Sequence, residues 1–309
     1  MSMSVTQFLY LRAAIEKGSL RAAANALGVS QPTLSIQIRR LEEELNVVLL
    51  NRTATGVAPT EEARQLIPFI DDVVAANEAL ERRATELKSP AAGTVKVGAI
   101  AHFNYYVAPR MLSELQSTYP LATVEIVEAG SVKIMDMVQS GELDVGLIAR
   151  TPDAPETPEK LRFVDLATGW LNVCLSEDDP LVDAETVSME QLRGRSMVAH
   201  SPATTMRAIF DTFRDAYDLT AVTFTDSGPS IPRLVASTHS PAFATSSDFR
   251  VASENLNVEY RPLTEPATSV ILSVVLRSGE QSTMLVRAIT QALRTRRREL
   301  TWPPGFTAV

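Results

Sequence analysis

With 309 residues, 45% hydrophobic and 21% charged, and a formal net charge of -8, the chain is long enough for two or three compact units and has an ordinary globular make-up. No apolar run approaches the roughly 18 residues of a membrane-spanning helix, and the N-terminal MSMSVTQFLYLRAA lacks the basic start and cleavage site of an export signal. A lone Cys174 excludes an internal disulfide and a cysteine zinc cluster, so the expectation is a cytoplasmic protein with no membrane partner and no cofactor.

The charge is uneven. Residues 1 to 60 hold six Lys or Arg against four Glu, a balance of +2, which leaves -10 for the remainder. That asymmetry fits a DNA-facing head on an acidic body. In the head, Val5, Phe8, Leu11 and Ile15 repeat at helical spacing and Gly18 ends the helix. Ser19 caps the Ala-rich LRAAANAL, whose small side chains let another helix approach. Gly28 can take the left-handed turn, Ser30 can cap the next helix, and Pro32 is tolerated in its first turn. Two helices joined by four residues is helix-turn-helix spacing. The third helix runs through Ile36, Ile38, Leu41 and Leu45, and VVLLNRTATGVAPT, ending at Thr60, reads as two short strands around Gly56, a wing.

From residue 61 to 88 the positions Leu66, Ile70, Val73, Asn77, Leu80, Ala84 and Leu87 step by alternating fours and threes, a heptad seam. A seam this regular calls for a partner helix, most simply from a second chain; the alternative is a helix lying on its own domain. Asn77 can fix its register, and Pro68 predicts a slight kink. SPAAG at 89 to 93 is a breaker-rich linker.

After it the chain alternates strand and helix: TVKVGAI, a helix from about Tyr105 to Thr118, ATVEIVEA, a helix from about Lys133 to Ser140, and LDVGLIA. This order predicts a parallel sheet with its ligand-facing edge at the strand C-terminal ends. TPDAPETPEK, residues 151 to 160, reads as a connection between lobes. A second set follows in WLNVCLS, RSMVAHS, a helix from about Thr204 to Tyr217, AVTFTD, a helix near Arg233, and PAFATSS. SVILSVVL and a helix from about Thr283 to Arg298 return to the first lobe. GTVKVGAIAH and GRSMVAH each run strand, Ala, His, helix, so His102 and His200 fall at equivalent loops. Such a pair can hold an anionic ligand; a metal is the alternative, for which no carboxylate or cysteine partner stands at ligand spacing. Tyr105 and Tyr106 read as core, with stacking on an aromatic ligand the alternative, and the run Arg296 to Arg298 as a basic last helical turn, with a second nucleic-acid patch the alternative. No G-x-S-x-G, H-E-x-x-H, G-x-x-x-x-G-K or G-x-G-x-x-G motif points to an enzyme.

SLRAAANALGVSQPTLSIQIRRLEEEL, the wing with Arg52 and Thr60, the seam helix and the two strand-helix lobes together resemble the LysR-type transcriptional regulators over essentially the whole chain. The resemblance implies an α/β protein in three parts. These are a winged helix-turn-helix over 1–60, a linker (dimerisation) helix over 61–90, and a two-lobed periplasmic-binding-protein-like, Rossmann-like effector domain over 91–309. Lobe one takes about 91–162 plus 268–309, and lobe two about 163–267. It implies a bacterial homodimer or homotetramer on promoter DNA, with a small effector, a carboxylate or aromatic acid, in the inter-lobe cleft and RNA polymerase as a further partner. The runner-up is a cytoplasmic solute-binding protein with no regulatory role. The expected DNA-binding residues are Ser30, Gln31, Pro32, Thr33, Ser35, Gln37, Arg39, Arg52 and Thr53, with Gln31 and Gln37 foremost because a Gln amide can bond adenine bidentately. The dimerisation residues are Leu66, Ile70, Val73, Asn77, Leu80 and Leu87. Effector contacts fall on His102, Phe103, Asn104, Ser131, His200, Ser201, Thr204, Thr205 and Thr245, where hydroxyls beside helix N-termini suit an anion. N-capping is the alternative role for Ser201. Two departures stand out: many relatives carry Arg at the position of Ile36, and the wing lacks the basic residues often found there.

Overall fold

The computed structural model describes residues 3–53, 56–88, 93–152, 160–202, 204–245, 256–264, 269–279, 282–300, 302 and 306–309. They form two compact units, 1–84 and 85–309. In the first, α1 (Val5–Lys17), α2 (Leu20–Ala26) and α3 (Gln31–Leu45) enclose a core of Phe8, Leu11, Leu34, Ile38 and Leu41. Ala23 and Ala24 are buried, which is why α2 is Ala-rich: any larger side chain would hold α1 and α3 apart. Ser19 and Ser30 accept hydrogen bonds from the amides of Ala22 and Thr33, and Gly28 sits at φ +66° in the turn between α2 and α3. β1 (Leu50–Thr53) and β2 (Gly56–Pro59) pair antiparallel as the wing. Glu42 Oε1 fixes the approach to the wing, accepting the amides of Leu49 at 2.8 Å and Leu50 at 3.1 Å.

Thr60 caps α4 (Glu61–Lys88), donating to the Val48 carbonyl and accepting the Ala63 amide. Part of the heptad stripe is engaged within the chain itself. Leu66 and Ile70 share a face with Ala63 and Val74, and that face packs on the head's own core. Among the described side chains, the large apolar ones left outward are Phe69, Val73 and Leu80, at 69%, 46% and 67% exposure. Asn77 is engaged by its own helix, donating to Glu81 at 3.1 Å. Leu87 lies outside the residues whose side chains are described.

The second unit holds two mixed sheets. β3 (Thr94–Ala99), β4 (Thr123–Glu128) and β5 (Val145–Arg150) run parallel, joined by α5 (Ala101–Tyr106), α6 (Ala108–Thr118) and α7 (Ser131–Ser140). The sheet then becomes antiparallel through β6 (Leu161–Trp170), β12 (Ser269–Arg277) and β13 (Phe306–Ala308), in the order β13-β6-β12-β5-β3-β4. The three strands of the βαβαβ run are thus parallel as expected, within a sheet that is mixed overall. α7 lies close on it because Gly146 has no side chain; a Cβ there would stand 2.5 Å from Ile134 and from Val275. α10 (Met284–Thr295) packs on α6 and β6, and Arg296 just beyond it pairs with Glu114 at 2.9 Å.

The second sheet repeats the plan. β8 (Ser196–His200), β9 (Thr220–Thr225) and β10 (Ala242–Ala244) are parallel, connected by α8 (Thr205–Arg214) and α9 (Ile231–Thr238). β7 (Asn172–Ser176) and β11 (Val258–Pro262) complete the order β11-β7-β10-β8-β9. The chain thus leaves the first sheet at Leu171, not at 162, because β6 continues along β12 as far as the Trp170–Ser269 pair. Most of the expected lobe connection, 153–159, falls outside the described residues. Tyr105 is 54% exposed rather than core, because α5 ends at Tyr106 and only Tyr106 turns inward.

Candidate nucleic-acid interface and ligand cleft

α3 buries Leu34, Ile38 and Leu41 and presents Gln31, Pro32, Thr33, Ile36, Arg39 and Arg40 to solvent. Ser35 and Gln37 are half-buried at its flanks. Ser30 and Thr33 are joined through their hydroxyls at 2.7 Å, so both serve the cap as well as the surface. Arg52 Nη1 donates to Ser35 Oγ at 3.1 Å, bringing wing and helix together, while Thr53 Oγ1 closes the wing by donating to the Gly56 carbonyl. The result is a capped helix end with polar side chains and guanidinium groups on one accessible face, the arrangement by which a second helix of this motif meets a major groove.

In the second unit, the C-terminal ends of both parallel trios open on one cavity of about 520 Å³. It is lined by His102, Ser131, His200, Thr204, Thr205 and Thr245 from the expected set. Among the described residues, hydrogen bonds cross it from one sheet's elements to the other's at two places. Thr205 Oγ1 donates to the Ala149 carbonyl at 2.6 Å, and Thr245 Oγ1 lies 3.1 Å from His102 Nε2. Ser131 Oγ accepts the Ala149 amide at 3.1 Å, so one backbone residue is held from both sides. Burial, then repulsion from His200, pushes His102 down to about 4, and burial alone brings His200 to about 4. Both rings are neutral at pH 7. The charges on the wall are Lys133, with Glu128 and Asp226 opposing it, and the N-termini of α7 and α8 add partial positive charge.

Residues 5–64 match the family model described as bacterial regulatory helix-turn-helix protein, lysR family, and residues 88–298 match the LysR substrate binding domain. The chain belongs to the LysR family. Among curated relatives, the DNA-binding transcriptional dual regulator OxyR of Escherichia coli is 30% identical over 196 residues, 63% of this chain and 63% of its own length. The probable RuBisCO transcriptional regulator of Synechocystis sp. is 28% identical over 208 residues, 67% of this chain and 60% of its own. The matched region thus spans under two thirds of the length of these relatives. In fold, the chain is similar to a full-length OxyR variant from Pseudomonas aeruginosa (TM-score 0.63, 23% identity, 99% of this chain and 98% of that one). It is also similar to full-length CbnR complexed with its target DNA (TM-score 0.64, 19% identity, 95% and 99%).

Three of the residues expected to touch a ligand in this LysR chain stand elsewhere. Phe103 is buried in the core, edge to face with Trp302 at 6.3 Å, because it points from α5 into the sheet. Asn104 acts at one remove, donating to Glu128 Oε2 at 2.6 Å. Ser201 neither lines the cavity nor caps α8; Thr204 is the cap, accepting the Arg207 amide, while the Ser201 amide bonds the Thr225 carbonyl. His239 closes α9 with φ +51° and bonds Ser176, away from the cleft. Sequence reasoning missed Glu128, Lys133, Met206 and Asp226. Glu128 and Asp226 were within reach of the rule that ligands meet strand C-terminal ends, since each ends or follows a strand. Met206 and Lys133 had no such signal: each looks like any other first-turn residue of a helix.

Proposed function

We propose that this protein is a DNA-binding transcriptional regulator of the bacterial cytoplasm, acting as a homodimer or homotetramer whose promoter binding is set by a small effector in the inter-lobe cleft. The observation that carries this is the capped α3, with its buried stripe turned inward and Gln31, Thr33, Arg39 and Arg40 outward. Exposed Phe69, Val73 and Leu80 on α4 support self-association through that helix. Arg39 and Arg52 serve the phosphates, and Gln31 the base edges.

For the effector, Lys133 and the two helix N-termini favour a carboxylate, while Glu128 and Asp226 oppose a second negative charge. A small monocarboxylic or aromatic acid fits both. The neutral histidines supply hydrogen bonds without adding charge. Effector binding acts by favouring one lobe arrangement over another, with consequences for half-site spacing, DNA bending and RNA polymerase contact. Redox sensing through an internal disulfide has no chemical basis within these 309 residues. Cys174 stands alone, and burial, only partly offset by a hydrogen bond with Tyr260, pushes its thiol up to about 12.

Gel retardation of DNA upstream of the protein's own gene, with and without a panel of small acids, tests the reading. Retardation that one acid strengthens or weakens is the expected result. Retardation of no fragment at low salt overturns it.

A further inference from the structure

Ile36 is the anomaly of α3. At about 100° per residue it lies roughly 170° round the helix from the centre of the buried Leu34, Ile38 and Leu41 stripe, so it points straight out. It is 49% exposed, in the second turn, between Pro32 one turn before it and Arg39 and Arg40 one turn after. Gln37, by contrast, is half-buried at the margin of the face. A β-branched side chain is a modest helix former, and an exposed one gains nothing from burial in the free protein. Nothing local explains its presence there.

Its chemistry narrows what it can recognise. A sec-butyl group has neither donor nor acceptor, so it cannot read the hydrogen-bonding edge of any base. The one apolar feature that a major groove offers is the C5 methyl of thymine. We infer that Ile36 is a specificity-determining residue that selects thymine in each half-site by covering that methyl with its own apolar surface. This rests on the DNA-reading role proposed above and adds to it which base the centre of the helix face demands. Arg39 and Arg40, on the same face, hold phosphates and fix the register in which Ile36 meets the base.

The test begins with selection of a preferred duplex from a random library by the full chain. Each thymine is then replaced in turn by deoxyuridine, which removes the methyl and leaves every hydrogen-bonding group. At one thymine per half-site, the replacement weakens wild-type binding by about three- to fivefold, the worth of one buried methyl. Ile36→Ala binds the thymine duplex correspondingly less well and is indifferent to deoxyuridine at that position; Ile36→Val falls between. The inference is overturned if no thymine shows methyl dependence in the wild type, a result that needs no variant to fold. It is equally overturned if Ile36→Ala keeps the full discrimination, which would assign the methyl to another residue such as Pro32. A library from which no sequence is enriched overturns the DNA-reading proposal itself, and this inference with it.

Discussion

His102 and His200 show how one cavity sets residue chemistry. Each titrates near 6.5 in an unfolded chain and near 4 in the fold, so between those values the unfolded state binds more protons. Their contribution to stability is therefore complete above pH 6.5 and is lost as pH falls towards 4. Melting of wild type and of a His102→Gln/His200→Gln variant from pH 7.5 to 4.5 is expected to show a shallower acid decline in the variant; parallel profiles would contradict the assignment. Thr205 makes a separate point. Thr205→Val keeps the shape and removes the donor to the Ala149 carbonyl, at a cost of about 1 kcal/mol, or about 2–4 °C in Tm for a unit of this size. An unchanged Tm would mean that the bridge between the lobes carries no stability.

Among the elements, α4 divides its length between two tasks. Its first turns complete the head: Ile70→Ala opens a cavity beside Val74 and is expected to cost about 2–5 kcal/mol, read by denaturant unfolding. Leu80, 67% exposed, contributes nothing to that core. Leu80→Lys should leave the unfolding midpoint in place and lower the oligomeric state seen by sedimentation, whereas Ile70→Ala lowers stability first. A Leu80→Lys protein that keeps its oligomeric state would remove this stretch from the interface. The heptad spacing was legible in the sequence; which positions a partner covers was not. A period of seven gives one stripe, and the head packs against the Ala63, Leu66, Ile70 and Val74 side of it, leaving the residues one position round the helix outward. The capped helix-turn-helix was readable because Ser19, Gly28 and Ser30 each perform a local task that no distant contact changes.

For the whole molecule, the two strand-helix lobes could be read from alternation, yet their boundary could not. β6 follows the proline-rich connection, and its membership in the first sheet depends on pairing with β12, about a hundred residues later along the chain. The cleft followed the same division. His102, Ser131, His200 and Thr205 were legible because they sit where the strand-helix pattern ends; Lys133 and Met206 were not, because only three-dimensional closure brings them to the cleft wall. The proposed function depends on sequence-selective binding of DNA by α3. Fluorescence anisotropy of the full chain, titrated at about 0.1 M salt onto a selected duplex and onto its scrambled counterpart, measures this directly. A ratio of roughly a thousandfold or more is predicted, falling in Gln31→Ala through loss on the selected duplex alone. Equal affinity for both duplexes would contradict it.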